Sequence, residues 1–543
     1  MSTQPNILLI LNDDMGFSDI GCYGGEVMTP NLDALAAGGL RYTQFYNTAR
    51  CCPSRASLLT GLHPHQADVG HMMGDDGIDG YLGDLNPNTV TIAEALKNGG
   101  YATYMSGKWH VTRHLEDSEH NWPCQRGFDD YYGILIGAAN YFQPRTLRRN
   151  NERIEPEGDD YFLTDAISDE AVRQIHEHAA KQPDKPFFQY VAFTAPHWPL
   201  HAHEADVERY EGRFDAGWDK LREERLARMV EMGIIDEQWL LSARDERVPM
   251  WEDEQHKTWQ ARRMEVYAAQ IDRMDQGIGR VVQALKDTGQ FENTLIVFLA
   301  DNGGCAEELT EATGEWAVHR EPVGTEFTRD GRRIQYGNNP AYMPGGEETY
   351  QSCGVPWANV SNTPFRLYKH WVHEGGISTP FIVHWPAGIE ARGELRKQPA
   401  QLPDVMATFL DVAGVAYPQK YAGHDVKPLE GYSMRPTFAD GPHNREVLYW
   451  EHEGNRAVRR GKWKLVCKYP GDWELYDMEA DRSELHDLAA QHPDVAGEMA
   501  ALHEAWAKHA GVVPWADLLA MRAERAKHEA RKAEGRKHPP VVN

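Results

Sequence analysis

Five short apolar runs end abruptly in polar clusters, and this pattern leaves the chain few folds to adopt. Residues 6–11 (NILLIL) run into Asn12-Asp13-Asp14, and residues 101–105 lead to Ser106-Gly107-Lys108-Trp109-His110. Residues 187–194 lead to Ala195-Pro196-His197, residues 294–300 to Asp301-Asn302-Gly303-Gly304, and residues 381–385 stop at Pro386. Apolar runs without alternation suit strands buried on both faces, as in a parallel sheet. Helical patterns lie between them at residues 31–39, 91–98, 164–181, 259–288 and 402–412. The alternation predicts an α/β fold with helices on both sides of one sheet. Ligands of such sheets bind beyond the carboxyl ends of the strands, where the polar clusters stand. One shared site is the expectation.

From about residue 430 the pattern changes. Residues 445–451, 456–459, 462–468 and 472–477 are short and β-rich, and a helix follows from about Pro493. They predict antiparallel strands in a small α+β unit. At 543 residues the chain exceeds one ordinary core, so the expected division is a catalytic α/β domain at 1–429 and a C-terminal α+β domain at 430–543. Residues 520–538 read as a charged, solvated helix offering a face to a neighbouring subunit, which would make a homo-oligomer. Residues 198–259 and 310–356 are long enough to serve as lids or subunit contacts.

The net charge of -26 disfavours nucleic acid and anionic membranes as partners. Seven scattered cysteines show no disulfide framework. The N-terminus lacks a basic stretch, residues 7–11 are too short for a secretory core, and no window approaches the roughly 20 apolar residues of a membrane span. A soluble, reduced, cytoplasmic protein is the expectation, or a periplasmic one if a signal was removed.

The most specific motif is Cys51-Cys52-Pro53-Ser54-Arg55-Ala56-Ser57-Leu58-Leu59-Thr60-Gly61. Taken alone it reads as two cysteines before a helix capped by Ser54. It resembles the signature C-x-P-S-R-x-x-x-L-T-G of the formylglycine-dependent (type I) sulfatases, in which the first cysteine is oxidised to an aldehyde. The resemblance puts Cys51 at the modified position and Cys52 at a variable one, and it implies a maturation enzyme as a partner. It also implies an alkaline-phosphatase-like sandwich with a large mixed, mostly parallel sheet. Gly16-Phe17-Ser18-Asp19-Ile20-Gly21 and Glu374-Gly375-Gly376-Ile377-Ser378-Thr379-Pro380 resemble soluble bacterial arylsulfatases most, although Ser378 stands where many relatives carry arginine.

Asp13, Asp14, Asp301 and Asn302 form a hard, all-oxygen donor set that favours Ca²⁺, with Mg²⁺ second, over zinc. The family's D-D and D-N-G-G patterns imply that these four bind the cation, with an oxygen at Cys51 completing the shell. The resemblance likewise assigns Lys108 and His110 from G-K-W-H, His197 from P-H, and Lys369, five residues before Glu374-Gly375-Gly376, to a sulfate pocket. The implied chemistry is hydrolysis of a small sulfate monoester, an aryl sulfate first. Arg55 would orient the nucleophile and Asp301 take its proton; His197 with Lys369 would serve the leaving group, and His110 the release of sulfate. His71, Met72, Met73 and Trp198 are candidate pocket walls from their position near the motifs. Two other readings accompany this one. A phosphonate monoester hydrolase or phosphodiesterase of the same superfamily is disfavoured by Asn302, Lys108 and His110. A non-catalytic binder of sulfated ligands would follow if Cys51 stays a thiol.

Overall fold

A computed structural model describes residues 4–116, 120–319 and 323–537, with side chains as far as 529. The main sheet contains β1 (Asn6–Asn12), β2 (Leu40–Tyr42), β3 (Ala102–Lys108), β4 (Asp130–Ile134), β5 (Leu147–Arg149), β6 (Glu152–Arg153), β7 (Phe187–Ala192), β8 (Thr294–Ala300), β9 (Phe381–His384) and β10 (Glu394–Arg396). Their spatial order is β10-β2-β9-β8-β1-β7-β3-β4-β5-β6. β8, β1, β7, β3 and β4 run parallel at the centre. β9 runs antiparallel to β8, and β5 antiparallel to β4.

The register shows why the central strands read as unbroken apolar runs. Leu9 of β1 stands between Tyr190 of β7 and Val297 of β8. Leu8 and Ile10 enter the core on one face of the sheet, while Ile7, Leu9 and Leu11 enter the core on the other. Each such side chain contributes roughly 1.5–3 kcal/mol when fully buried, so a polar residue at any of these positions is costly. Helices α1 (Pro30–Ala37), α4 (Leu163–Lys181) and α5 (Lys257–Asp287) cover the first face. Helices α2 (Cys51–Thr60), α3 (Ile92–Asn98) and α6 (Pro403–Ala413) cover the second.

The C-terminal strands β11 (Val447–His452), β12 (Asn455–Arg460), β13 (Trp463–Cys467) and β14 (Glu474–Asp477) form one antiparallel sheet. One face packs on α7 (Pro493–Ala510) through Val458, Leu465, Leu475 and Met499. The other lies against Tyr46, Val372 and Ile377 of the large unit through Leu448, Trp450 and Val466. A buried ion network crosses the same seam: Lys464 Nζ is 2.8 Å from both Glu374 and Glu484, and Arg482 Nε is 2.8 Å from Glu374. Arg482 also donates to Ser378 Oγ at 2.7 Å. The C-terminal unit thus brings a guanidinium to the segment of residues 374–380.

The reading of the cysteine motif taken alone changes here. Ser54 does not cap α2, which begins at Cys51 with Arg50 at its N-cap; the Ser54 hydroxyl instead pairs with Thr48 Oγ at 2.9 Å. The final helix is α8 (Trp515–Lys537), and its side chains from 520 to 529 are mostly exposed, as expected of a solvated helix. Arg522 and Arg525 bind Asp76 and the Asp75 carbonyl of the same chain; His538, the last residue of the expected helix, lies outside the described residues. Among the described residues no helix is long and apolar enough to cross a membrane.

Candidate active site

Because β1, β3, β7 and β8 are parallel, their carboxyl ends open on one edge of the sheet. Asp13 and Asp14 follow β1, His110 follows β3 just after Lys108 ends it, His197 follows β7, and Asp301 and Asn302 follow β8. A Cβ on Gly107 (φ +113°) would lie 1.9 Å from the Ala192 carbonyl oxygen, so only glycine lets β3 turn Lys108 inward here. α2 begins at Cys51, and every residue of that helix is buried.

The acids and cations interlock below the surface. Lys108 Nζ lies 2.5 Å from Asp13 Oδ2. Arg55 grips Asp301 through Nε at 3.0 Å and a terminal nitrogen at 2.8 Å, and also donates to the Lys108 carbonyl at 2.9 Å. Asn302 Nδ2 donates to Asp14 Oδ1 at 2.7 Å, and Lys369 Nζ donates to Asp14 Oδ2 at 2.9 Å. His197 donates through Nδ1 to the Trp198 carbonyl at 2.7 Å. That bond turns Nε2 toward Asp14 Oδ2 at 3.3 Å and Lys369 Nζ at 3.4 Å. The structure therefore brings Cys51, Arg55, Lys108, His110, His197, Lys369, Asp13, Asp14, Asp301 and Asn302 into one locus.

Burial and charge set the protonation states. Burial opposes ionisation of Asp13, but Lys108, His197 and Arg55 outweigh it and hold that carboxyl below its ordinary range. Burial and the Asp13 charge push the Asp301 carboxyl up, against the pull of Arg55 and Lys108. A hydrogen bond from Cys52 pulls the Cys51 thiol well down against burial, aided by Lys108 and His110. Burial drives His110 down to about 4, so its ring is neutral at pH 7.

Two buried oxygens, Asp13 Oδ1 and Asn302 Oδ1, have no hydrogen-bond partner among the described residues. Orphaned buried acceptors in a cluster of three carboxylates and one amide fit a hard divalent cation. The residues present therefore suit the metal expected for this site.

Above this floor opens a cavity of about 470 Å³. Cys51, His110, His197 and Lys369 line its base, and Met72, Met73, Leu115, Ile136, Trp198 and Trp316 form much of its wall. Trp316 belongs to the 310–356 segment, which thus contributes to the cavity wall. His71 does not line the cavity; its ring turns away to Glu453, at 2.6 Å. Sequence reasoning also missed Arg50 and Glu307, which pair at 2.9 Å on the rim while Glu307 accepts from Trp198 Nε1 at 2.7 Å. Only the adjacency of Arg50 to Cys51 hinted at the first, and no motif marks the second.

Comparisons with known proteins agree with this geometry. Residues 5–415 match the model of the sulfatase family, and residues 365–509 match that of the N-sulphoglucosamine sulphohydrolase C-terminal region. An uncharacterized sulfatase from Schizosaccharomyces pombe is 31% identical, over 94% of this chain and 95% of its own length. An arylsulfatase from Klebsiella aerogenes is 34% identical, over 79% of this chain and 91% of its own. The solved structure of Ps i-CgsB in complex with k-i-k-neocarrahexaose superposes with a TM-score of 0.65 at 25% identity, covering 93% of each chain. The alkaline-phosphatase-like layering and these matches place the chain in the type I sulfatase family, whose members hydrolyse sulfuric esters.

Proposed function

We propose that the protein is a formylglycine-dependent, calcium-assisted sulfatase whose preferred substrates are aryl sulfates. The observation that carries this reading is the position of Cys51. It opens α2 on the floor of the cavity, its sulfur within 4.8 Å of the His110 ring, below a wall of methionine and tryptophan. Conversion of Cys51 to the aldehyde supplies a hydrate with two hydroxyls in place of a thiol. Cys51 is 3% exposed, so a maturation enzyme has to reach it before α2 packs.

Asp13, Asp14, Asp301 and Asn302 would hold the cation, which draws charge from sulfate oxygens when bound. Lys108 and Lys369 place two further positive charges beside the reacting group, a fixed arrangement that stabilises negative charge without reorganisation. The local cations also account for anion binding by a chain of net charge -26. Arg55 fixes Asp301 beside the reacting group, where its ionised carboxylate would take a proton from the nucleophile. His197, its Nδ1 tied to the Trp198 carbonyl, presents Nε2 to the leaving-group oxygen beside Lys369. Neutral His110, next to Cys51, is placed to accept the proton that frees sulfate.

The apolar wall favours a flat aryl group over a hydroxyl-rich sugar. Carbohydrate sulfates are the second reading, supported by Arg50 at the rim and by the sugar bound in the Ps i-CgsB structure. A panel of aryl, alkyl and carbohydrate sulfates, with phosphonate monoesters and phosphodiesters alongside, separates these. The aryl sulfates should give the highest kcat/KM; a higher value for any sugar sulfate or phosphonate would displace this reading.

A further inference from the structure

The hairpin that joins β11 to β12 turns on two residues, Glu453 (φ +52°) and Gly454 (φ +82°), between the paired His452 and Asn455. Such a turn favours asparagine or glycine at its first position, and glutamate is disfavoured there. The side chain explains why a glutamate occupies it. Glu453 Oε1 lies 2.6 Å from His71 Nε2, and Oε2 lies 3.1 Å from His370 Nδ1. Burial works to raise this carboxyl's pKa, and the hydrogen bonds from His370 and His71 overcome it, keeping it ionised.

The outer nitrogens of both rings fix their tautomers. His71 Nδ1 accepts from Arg522 of α8 at 2.9 Å. His370 Nε2 accepts from Asn455 Nδ2 at 3.3 Å, while the Asn455 carbonyl oxygen is held by the Tyr469 amide. Each inner nitrogen therefore carries a proton and donates to Glu453. That arrangement is a carboxylate-centred hub, one ionised carboxylate holding two rings from different segments.

The two rings belong to segments that shape the active site. His71 precedes Met72 and Met73 of the cavity wall, and His370 follows Lys369 at its base. We infer that Glu453 is a positioning residue through which the C-terminal unit sets both the aryl-binding wall and the lysine at the leaving group. The inference rests on the proposed aryl sulfatase reading for its kinetic consequences, but not for its structural ones.

Glu453→Asn and Glu453→Gln test it. Asparagine suits the turn, so Glu453→Asn should fold and melt within a few degrees of wild type while losing the reach to both histidines. Its KM for a bulky aryl sulfate should rise roughly tenfold, as expected when a wall that binds ground and transition states alike is loosened. Glu453→Gln, which keeps the length and one acceptor, should restore part of the loss. His71→Phe should reproduce the KM effect, and adding it to Glu453→Asn should raise KM no further, since the two act through one contact. Amide exchange should speed up at residues 70–73 and 369–371 in Glu453→Asn, a readout that needs no turnover. Unchanged exchange at both segments, or unchanged KM and kcat in an enzyme whose wild type hydrolyses aryl sulfates, would overturn the inference. Stoichiometric zinc uptake that disappears in Glu453→Asn would overturn it as well. If wild type turns over no aryl sulfate, the exchange result alone decides.

Discussion

Arg55 Nε lies 3.0 Å from Asp301 Oδ2, and a terminal nitrogen of the same guanidinium lies 2.8 Å from it, with neither side chain exposed to solvent. The pair joins the first turns of α2 to the end of β8 and so fixes the distance between Cys51 and the acid cluster. Breaking a buried pair by removing one partner costs about 3–5 kcal/mol. Arg55→Met should therefore lower stability by that order and abolish turnover. Arg55→Lys keeps the charge but loses the second grip, as well as the hydrogen bond to the Lys108 carbonyl. It should fold, with kcat reduced roughly 100-fold, the scale of losing one fixed stabilising donor. Melting curves and steady-state kinetics together check both; full activity in Arg55→Lys would remove the fork from the account.

His197 separates two kinds of substrate. Leaving groups that depart unaided gain little from an acid, whereas poor ones depend on it. General acid help is worth about 10²–10⁴-fold. His197→Ala should cost at least roughly 100-fold in kcat for a poorly activated ester and much less for a nitrophenyl-type sulfate. Equal losses on both would show that the ring does not serve the leaving group.

Chelation probes the orphaned oxygens. Calcium at roughly 100 times its Kd should add about 2.7 kcal/mol of stability, visible as a higher Tm that EDTA reverses. Asn302→Leu removes the unpartnered Oδ1 and should flatten the dependence of Tm on calcium. A calcium-dependent Tm of wild-type size in that variant would place the ion elsewhere.

Acid stability follows from buried neutral histidines. Burial lowers His201 and His503 to about 4, from about 6.5 in an unfolded chain. Between those values the unfolded state binds more protons, so each group contributes stability that is complete above pH 6.5 and is lost as pH falls toward 4. The loss per group is on the order of 3 kcal/mol. Tm should therefore drop steeply between pH 6.5 and 4. In His201→Gln, where glutamine can still donate to the Thr349 carbonyl that His201 Nε2 now faces at 2.7 Å, the slope should be shallower. An unchanged slope would contradict the assignment.

The sheet centre was legible because β1, β7 and β8 are buried on both faces, which forces unbroken apolar runs. β2 and β10 were not, because three residues with arginine among them carry no periodicity. The same holds for the site. Cys51, Asp13, Asp14, Asp301 and Lys108 sit in local motifs, and each motif fixes its own backbone. Arg50 and Glu307 are 257 positions apart, and His71 and Glu453 are 382 apart, so only the folded chain reveals either pair. His71 was expected on the wall because of its neighbours, but the wall is formed by Met72 and Met73 and the ring anchors them from behind.

The central claim is that Cys51 works as an aldehyde. Trypsin cuts after Arg50 and Arg55 and releases Cys51-Cys52-Pro53-Ser54-Arg55, a peptide with both cysteines but only one expected to change. Mass spectrometry of that peptide, from active protein made in its native host, should show a thiol replaced by an aldehyde and fragmentation should assign it to the first residue. An intact thiol at Cys51 in protein that still hydrolyses sulfate esters would contradict the account, and an aldehyde at Cys52 would move the nucleophile out of the register described here.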